Sequence, residues 1–135
     1  MKLSETRTLA LIAQSNGKDA IKVTEWYLSL WHHLLEQSNY NACCSAVAVT
    51  VATDSELLLG RATSIFRSWK VLLTEQLHEG GLSSEQAKQF AITLIAASEG
   101  AVVMARAEKS MEPLDIVSKQ LIDQVGAMMK IKTVK

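Results

Sequence analysis

Apolar residues recur along much of this chain at the three- and four-residue spacing of an α-helix. The segment from about Lys18 to Gln37 has one such face, made of Val23, Tyr27, Leu30 and Leu34. A second segment begins at a capping Asp54 or Ser55 and reaches about Glu79. Its apolar positions are Leu58, Ala62, Ile65, Trp69 and Leu72. Residues three and four apart share a helix face, so both segments are predicted to be amphipathic helices.

Glycine, proline and capping residues predict where the later helices begin and end. Gly80-Gly81 ends the helix that reaches Glu79, because glycine adopts the left-handed cap conformation without a Cβ clash. Ser83 and Gln86 have the spacing of a capping box, which opens a helix predicted to continue to about Lys109. Pro113 suits the first turn of a last helix, where its missing N–H costs nothing. The apolar face of that helix is Leu114, Val117, Leu121, Val125 and Met128.

Two shorter segments have a weaker pattern. The segment from about Leu3 to Ser15 is predicted to be a first helix that stops at Asn16-Gly17. The segment from about Ala42 to Thr53 is rich in Val and Thr, which favour strands. A helix is predicted there nonetheless, because every neighbour is helical and a lone strand has no partner. The fold is therefore predicted to be all-α, a six-helix bundle without strands that forms one domain over residues 1–135.

Composition narrows the class of protein. One Pro, six Gly and 48 % apolar residues in a chain of 135 favour one compact helical domain. Fourteen basic residues balance fourteen acidic ones, which argues against direct binding of nucleic acid by this chain. The adjacent Cys43 and Cys44 form no disulfide framework, and neither a secretory signal nor a long uninterrupted apolar run is apparent. A cytoplasmic protein with no membrane segment is expected.

The sequence offers little support for catalysis or metal binding. It contains no GxSxG, GxGxxG, P-loop or HExxH pattern, so the chain is expected not to be an enzyme. His32, His33 and Glu36 could share a helix face and hold a metal, but a stable site needs three or four ligands. We therefore favour a surface His pair and predict neither a metal nor a cofactor. Cys43 and Cys44 could hold a reactive thiol, although packing as small hydrophobic residues is favoured.

Glu99 and the large aromatic residues are the candidates for contact with a ligand. Glu99 lies among apolar residues, and a buried carboxylate is costly unless it has a partner or faces a polar cavity. It could meet a cationic ligand, or it could brace a neighbouring helix or a dimer contact, which is the role we favour. The aromatic residues could line an apolar pocket for flat ligands or pack in the core; they are Trp26, Trp31, Phe66 and Trp69.

Four short blocks, in order along the chain, carry a resemblance to a known family. They are Ala42-Cys43-Cys44, Phe66-Arg67-Ser68-Trp69, Glu99-Gly100-Ala101 with Ala105-Arg106, and Pro113-Leu114. Over roughly Val23 to Val125 the chain resembles the C-terminal sensor domain of multidrug-responsive TetR-type transcription repressors. It departs from the family's first block at Ala42 and Cys44, where the family has Gly and Pro.

The resemblance implies a homodimeric sensor domain. In that family the last two long helices form a dimeric four-helix bundle, and a pocket beneath them admits an apolar or aromatic small molecule. The ligand-binding residues predicted on this basis are Trp26, Leu30, Cys43, Val47, Phe66, Trp69, Ile95, Ser98, Glu99 and Val102. The predicted dimer contacts are Ala91, Leu94, Ala101, Ala105, Leu114, Val117, Leu121 and Val125.

The resemblance also implies a role for operator DNA, which the family binds through an N-terminal helix-turn-helix domain. Roughly fifteen residues precede the helix that starts near Lys18, too few for that three-helix domain. Operator DNA is therefore expected to be reached only through a domain that this sequence lacks, and the sequence is interpreted as a truncated regulator rather than a naturally headless relative. The alternative function is a helical dimerisation and interaction module that binds no small molecule.

Overall fold

The structure is a computed structural model that describes residues 2–3, 10, 12–13, 18–41, 43–44, 52 and 54–133. Four long helices dominate this part of the chain: α1 (Ala20–Gln37), α2 (Glu56–Glu79), α3 (Ser84–Glu108) and α4 (Glu112–Thr133). Two strands of two residues each, β1 (Lys2–Leu3) and β2 (Cys43–Cys44), pair in parallel, with Lys2 opposite Cys43. The all-α fold class is confirmed, because so short a pair of strands does not change it.

Local sequence signals set the starts of the first three long helices. Asp19 caps α1 and Ser55 caps α2, each side chain accepting the backbone N–H three residues further on, at 2.8 and 3.4 Å. Before α3, the Ser83 hydroxyl accepts the Gln86 N–H, and the Gln86 side chain accepts the Ser83 N–H. The predicted capping box is therefore confirmed. At the other end of α3, Lys109 takes the left-handed conformation with φ 51°.

The turn between α2 and α3 also holds the start of α1. The Gly80 carbonyl accepts the N–H of Ala20 at 3.0 Å, so the two helix ends meet through their backbones. A Cβ at position 80 would lie 2.5 Å from the Ala20 nitrogen. Gly81 has φ +122°, which L-residues with a side chain rarely adopt. The Gly80-Gly81 pair thus permits a close backbone approach as well as ending a helix.

Buried side chains from all four helices form one core in the described part of the chain. Helix α3 packs against α2 and against α4, and α1 packs mainly against α4. The largest fully buried side chains include Trp69, Tyr27, Phe90, Leu28, Leu35, Leu73, Leu77, Leu94 and Leu114. The N-terminal segment joins this core through Ile12, whose side chain is buried and whose carbonyl accepts the Gln76 side-chain amide at 3.0 Å.

The helix predictions for the two shorter segments were wrong at three of the positions that the structure describes and right at the other four. Cys43, Cys44 and Leu3 were predicted to be helical, and all lie in extended strands. A helix was predicted at Cys43–Cys44 because a lone strand would have no partner, but Lys2–Leu3 pairs with these residues in the structure. Ala52 is helical. The rest of the predicted third helix and most of the first helix lie outside the described residues.

Helix α3 is the one described helix that is long and apolar enough to cross a membrane. Half of its most apolar stretch is buried inside the protein. Length and composition do not distinguish a membrane span from the buried core helix of a folded domain, so this property is weak support for a span.

Candidate ligand-binding site

A pocket of about 300 Å³ lies between α2 and α3, open to solvent at the exposed Ile92 and Ala96, and we name it the inner cavity. Its walls are Phe66 and Lys70 from α2, and Ile92, Ile95, Ala96 and Glu99 from α3. The residues of each helix recur at steps of three and four, so each group lies on one helix face. The packing of α2 against α3 brings these two faces together.

The inner cavity is mainly apolar and has one group of each charge. Glu99 is buried, with 7 % of its surface exposed, and Lys70 is half-buried on the opposite helix. Phe66 and Ile95 supply the apolar surface around them. Apolar walls with a few convergent polar groups are typical of small-molecule sites, because the walls supply affinity and the polar groups fix orientation.

Behind Phe66, the buried Trp69 supports the wall of the inner cavity. The two rings meet edge to face, with centroids 5.9 Å apart and an interplanar angle of 85°. This arrangement matches the positive ring edge of one residue to the negative face of the other. Among the described residues, the buried Trp69 indole N–H has no hydrogen-bond acceptor. Phe66 therefore lines the inner cavity directly, and Trp69 lies one layer behind it.

The inner cavity brings together three of the predicted ligand residues: Phe66, Ile95 and Glu99. Sequence reasoning missed Lys70, Ile92 and Ala96, which line the same space. The Phe66 to Lys70 spacing of one helical turn was the available signal for Lys70. Ile92 and Ala96 carry no charge and belong to no motif, so nothing in the sequence marked them.

The other predicted ligand residues do not line the inner cavity. Ser98 is buried, with its hydroxyl 3.1 Å from the Ile95 carbonyl and 3.4 Å from the Tyr27 hydroxyl. Val102 is buried in the core, and Leu30 is half-buried against it. Trp26 is half-buried with the Lys18 ammonium 5.1 Å from its ring centroid. Cys43 lies in β2, and Val47 lies outside the described residues.

A second, larger depression, also open to solvent, lies between the same two helices, and we name it the outer groove. Its volume is about 480 Å³, and it shares Lys70 and Ile92 with the inner cavity. The residues that line it are Arg67, Lys70, Val71, Thr74, Glu75, Lys88 and Ile92. This groove was not predicted from the sequence, because its charged residues belong to two helices whose relative placement the sequence does not show.

The predicted surface His pair lies on α1, beside α4. His33 is exposed, and His32 is half-buried, with Nδ1 3.0 Å from the Leu28 carbonyl and Nε2 2.8 Å from Asp115. A carboxylate and a carbonyl hold the ring between α1 and α4, which is a structural role. In the residues that the structure describes, no group of three or more His, Cys, Asp or Glu could hold a metal ion.

Comparison with known proteins identifies the family. A family model described as the C-terminal domain of LmrA/YxaF-like transcriptional regulators, a TetR-type family, matches residues 20–120. The chain belongs to this family. The resemblance to TetR-type regulators inferred from the sequence is thereby confirmed, and regulators of this type dimerise and bind DNA and small molecules.

Two curated relatives extend the comparison. An uncharacterized HTH-type transcriptional regulator of Mycobacterium tuberculosis, strain CDC 1551 / Oshkosh, is 24 % identical over 119 residues, which cover 83 % of this chain. A protein of the same description from strain ATCC 25618 / H37Rv has the same identity and coverage. The chain spans 60 % of the length of each of these relatives. No solved structure matches the chain significantly.

In this TetR-type domain, the residues predicted for the dimer contact lie inside the protein. Seven of them are buried in the chain's own core: Ala91, Leu94, Ala101, Ala105, Leu114, Leu121 and Val125. Val117 is half-buried against the same core. These side chains already pack against other helices of the same chain. A dimer contact on α3 and α4 would therefore use other side chains.

The exposed positions of α4 separate into two stripes of different character. One stripe is charged and includes Asp115, which bonds to His32 of α1; its members are Glu112, Asp115, Lys119, Asp123 and Lys130. The other stripe is uncharged; its members are the half-buried Pro113 and the exposed Ile116, Gln120, Gln124 and Ala127. At about 100° per residue the two stripes lie side by side on the exposed side of α4, with their centres about 90° apart. Since the charged stripe borders α1, the uncharged stripe borders α3.

Helix α3 continues this uncharged surface. From Gln89 to Ala105 its one ionisable residue is Glu99, and that side chain is buried. Uncharged and mostly exposed positions recur on the outward face at steps of three and four; they are Gln89, Thr93, Ala96, Gly100, Val103 and Ala107. We name the uncharged stripes of α3 and α4 together the uncharged face. Val103 and Ile116, both more than half exposed, are its largest apolar side chains at those positions.

Proposed function

We propose that this chain is the homodimeric effector-binding domain of a TetR-type transcriptional regulator. It acts in the cytoplasm, binds an apolar or aromatic small molecule in the inner cavity, and carries out no catalysis. Operator DNA is bound by another part of a longer regulator. The family match supports the regulator class, and the relatives extend well beyond the length of this chain.

The inner cavity is the observation that carries the sensor proposal. Phe66 and Ile95 offer an apolar surface, while Glu99 and Lys70 offer one charge of each sign at its walls. Its volume of about 300 Å³ is at the small end of the range for ligand pockets, about 300–1,000 Å³. An effector that fits it is compact and largely apolar, with a polar group placed to meet one of the two charges.

The uncharged face supports the dimer proposal. It joins the outward sides of the two long C-terminal helices, and depletion of charge is what distinguishes the centre of a protein interface from other surface. Small residues such as Ala96, Gly100 and Ala107 allow a partner helix to approach closely. Two copies that pair their uncharged faces form a four-helix bundle with a two-fold axis, which is the closed symmetry expected of a homodimer.

The effector acts by shifting a population. A ligand moves an equilibrium between two states only by binding one of them more tightly than the other. The inner cavity lies between α2 and α3, and α3 also carries part of the uncharged face. A ligand that changes the packing of α2 on α3 therefore changes the geometry of the dimer, and with it the spacing of two attached DNA-binding domains.

The proposal is tested by titrating tryptophan fluorescence with a panel of aromatic, flavonoid-like and cationic compounds. Trp69 contacts Phe66 and reports on the cavity wall. We expect saturable quenching at micromolar ligand. Phe66→Ala should weaken binding about tenfold, which is about 1.4 kcal/mol, because it removes one wall of the cavity.

Leu58→Ala is the matched control for that titration. Leu58 is an exposed apolar residue on the same helix, two turns from Phe66 and outside the inner cavity. Its substitution should leave binding unchanged. A folded, dimeric protein that responds to no compound in the panel would contradict the sensor proposal and favour an interaction module that acts by pairing alone.

A further inference from the structure

The outer groove has an excess of positive charge that the rest of the chain does not share. Arg67 and Lys70 line it from α2, and Lys88 lines it from α3, against a single carboxylate, Glu75. The whole chain has fourteen basic and fourteen acidic residues and no net charge. Neither of the two ion pairs in the described part of the chain includes any of these three cations. Their charges are therefore available to an anion in the groove.

The floor of the outer groove is apolar and open to solvent. Val71 is 58 % exposed and Ile92 is 46 % exposed, and both are among the few large apolar side chains with so much free surface. They face the groove from opposite helices, Val71 from α2 and Ile92 from α3. Exposed apolar surface with a polar rim is typical of ligand-binding grooves, whereas apolar residues scattered singly over a surface are ordinary.

The size of the groove favours a small molecule over a macromolecule. Its volume of about 480 Å³ lies within the usual range for ligand pockets, about 300–1,000 Å³. A stable protein partner needs about 800 Å² of buried surface on each side, whereas the apolar floor here consists of two side chains.

The cations of the groove suit a carboxylate. An arginine guanidinium can pair with a carboxylate through two parallel hydrogen bonds, and the lysines add point charges.

We infer that the outer groove binds a single-chain amphipathic anion, a fatty carboxylate. Its hydrocarbon tail lies along Val71 and Ile92, and its carboxylate lies among Arg67, Lys70 and Lys88. This site is separate from the inner cavity, although the two share Lys70 and Ile92. The inference does not depend on the proposed sensor function, because it rests on the charge and exposure of the outer surface alone.

Isothermal titration calorimetry of the full chain with decanoate, below its micelle concentration and at 0.15 M salt, tests the inference. We expect saturable binding with one site per chain. Decyltrimethylammonium has the same tail and the opposite charge, so it should bind at least tenfold more weakly. Equal binding of the two amphiphiles would overturn the inference, because the groove would then select for the tail alone.

Two substitutions separate the outer groove from the inner cavity. Arg67→Gln with Lys88→Gln should weaken decanoate binding at least tenfold, because both residues line the groove and neither lines the inner cavity. Lys119→Gln removes an exposed lysine on α4, away from the groove, and should have no effect. Both groove residues are exposed, so thermal unfolding is expected to be unchanged.

Three results would assign the groove differently and overturn the inference. Decanoate binding that resists the Arg67→Gln and Lys88→Gln pair would place the anion elsewhere. Decanoate binding lost in Phe66→Ala but retained in the groove variant would place it in the inner cavity. A change of molecular mass on Val71→Asp would show that a second copy of this chain covers the groove.

Discussion

The two flanks of α3 differ sharply in charge. Toward α2, the surface holds Arg67, Lys70 and Lys88 around an apolar floor. On the outward side and toward α4, the uncharged face runs along both helices without one exposed ionisable side chain between Gln89 and Ala105, and it shares Ala96 with the inner cavity. Both flanks expose apolar side chains, but only on the α2 flank are those side chains surrounded by charged residues.

This difference separates two kinds of binding surface. Unpaired cations are well solvated in the free protein and give up that solvation only to an anion, so the α2 flank selects its ligand by charge. A surface without charge has little solvation to lose, so it can be buried against an identical surface. The same helix can therefore serve an anionic ligand on one flank and a second copy of the chain on the other.

The largest effect is expected from a charge placed in the centre of the uncharged face. Gly100→Glu should weaken the dimer about hundredfold or more, roughly 3 kcal/mol, because each copy would bury an uncompensated carboxylate. A Cβ at position 100 meets no atom within 4 Å in one chain, so the monomer's fold should tolerate the change. Size-exclusion chromatography with light scattering, over a series of concentrations, measures the dissociation.

Gly60→Glu is the matched control for Gly100→Glu. Gly60 is exposed in α2, and a Cβ there also meets no atom within 4 Å. Replacing this helical glycine stabilises each monomer by up to about 1 kcal/mol without weakening the dimer, so Gly60→Glu should unfold at a slightly higher temperature. Equal dimer dissociation constants for the two variants would show that the uncharged face is not the dimer contact.

A smaller effect is expected from charges on the two stripes of α4. Gln120→Glu lies in the uncharged stripe and should weaken the dimer about tenfold, or 1.4 kcal/mol. Lys119→Glu is its neighbour on the charged stripe and should leave the dissociation constant within about twofold, since an exposed charge is screened by solvent. Sedimentation velocity on the two variants gives the comparison, and a reversed order would contradict the assignment of the stripes.

The two flanks should also respond independently. The Arg67→Gln and Lys88→Gln pair should leave the dimer dissociation constant within about twofold, because effects at separated sites without shared partners are usually independent. Gly100→Glu should likewise leave decanoate affinity within about twofold. Measuring both quantities on both variants tests the separation. A loss of decanoate binding on dissociation would show instead that the groove is completed by the partner chain.

The smallest effect concerns the buried, core-facing side of α4. Ser118 is 7 % exposed, and its hydroxyl has no hydrogen-bond partner among the described residues. Ser118→Ala should raise the free energy of unfolding by about 1 kcal/mol, because it removes a desolvated polar group and favours the helix. Chemical denaturation measures the change. A loss of stability would mean that the hydroxyl is hydrogen-bonded in solution.

Much of the fold could be predicted because its signals are local. The helix cap at Ser83, the Gly80-Gly81 stop and the apolar steps of the long helices each depend on residues a few positions apart. The strand at Cys43–Cys44 could not be predicted in this way, because its partner lies some forty residues earlier. A strand is stabilised by its neighbour, whose position the local sequence does not contain.

The candidate site could be predicted in part. Glu99 was marked by its apolar surroundings and Phe66 by its aromatic ring, and both line the inner cavity. Lys70 and Ile92 could not be singled out, since only the packing of α2 on α3 brings them to the same space. The residues predicted for the dimer contact were chosen for their hydrophobicity, and seven of the eight are buried in the chain's own core. The uncharged stripe of α4, which we propose pairs instead, contains Gln120 and Gln124, and only its lack of charge marks it in the sequence.

Sedimentation equilibrium of the unaltered chain at micromolar concentration tests most directly whether the uncharged face is a pairing surface. The account predicts a single species with twice the 14.8 kDa mass of one chain, converting to monomer when Gly100 is replaced by Glu. A mass of 14.8 kDa at every concentration would contradict it, because the uncharged face would then remain exposed to water in the native protein.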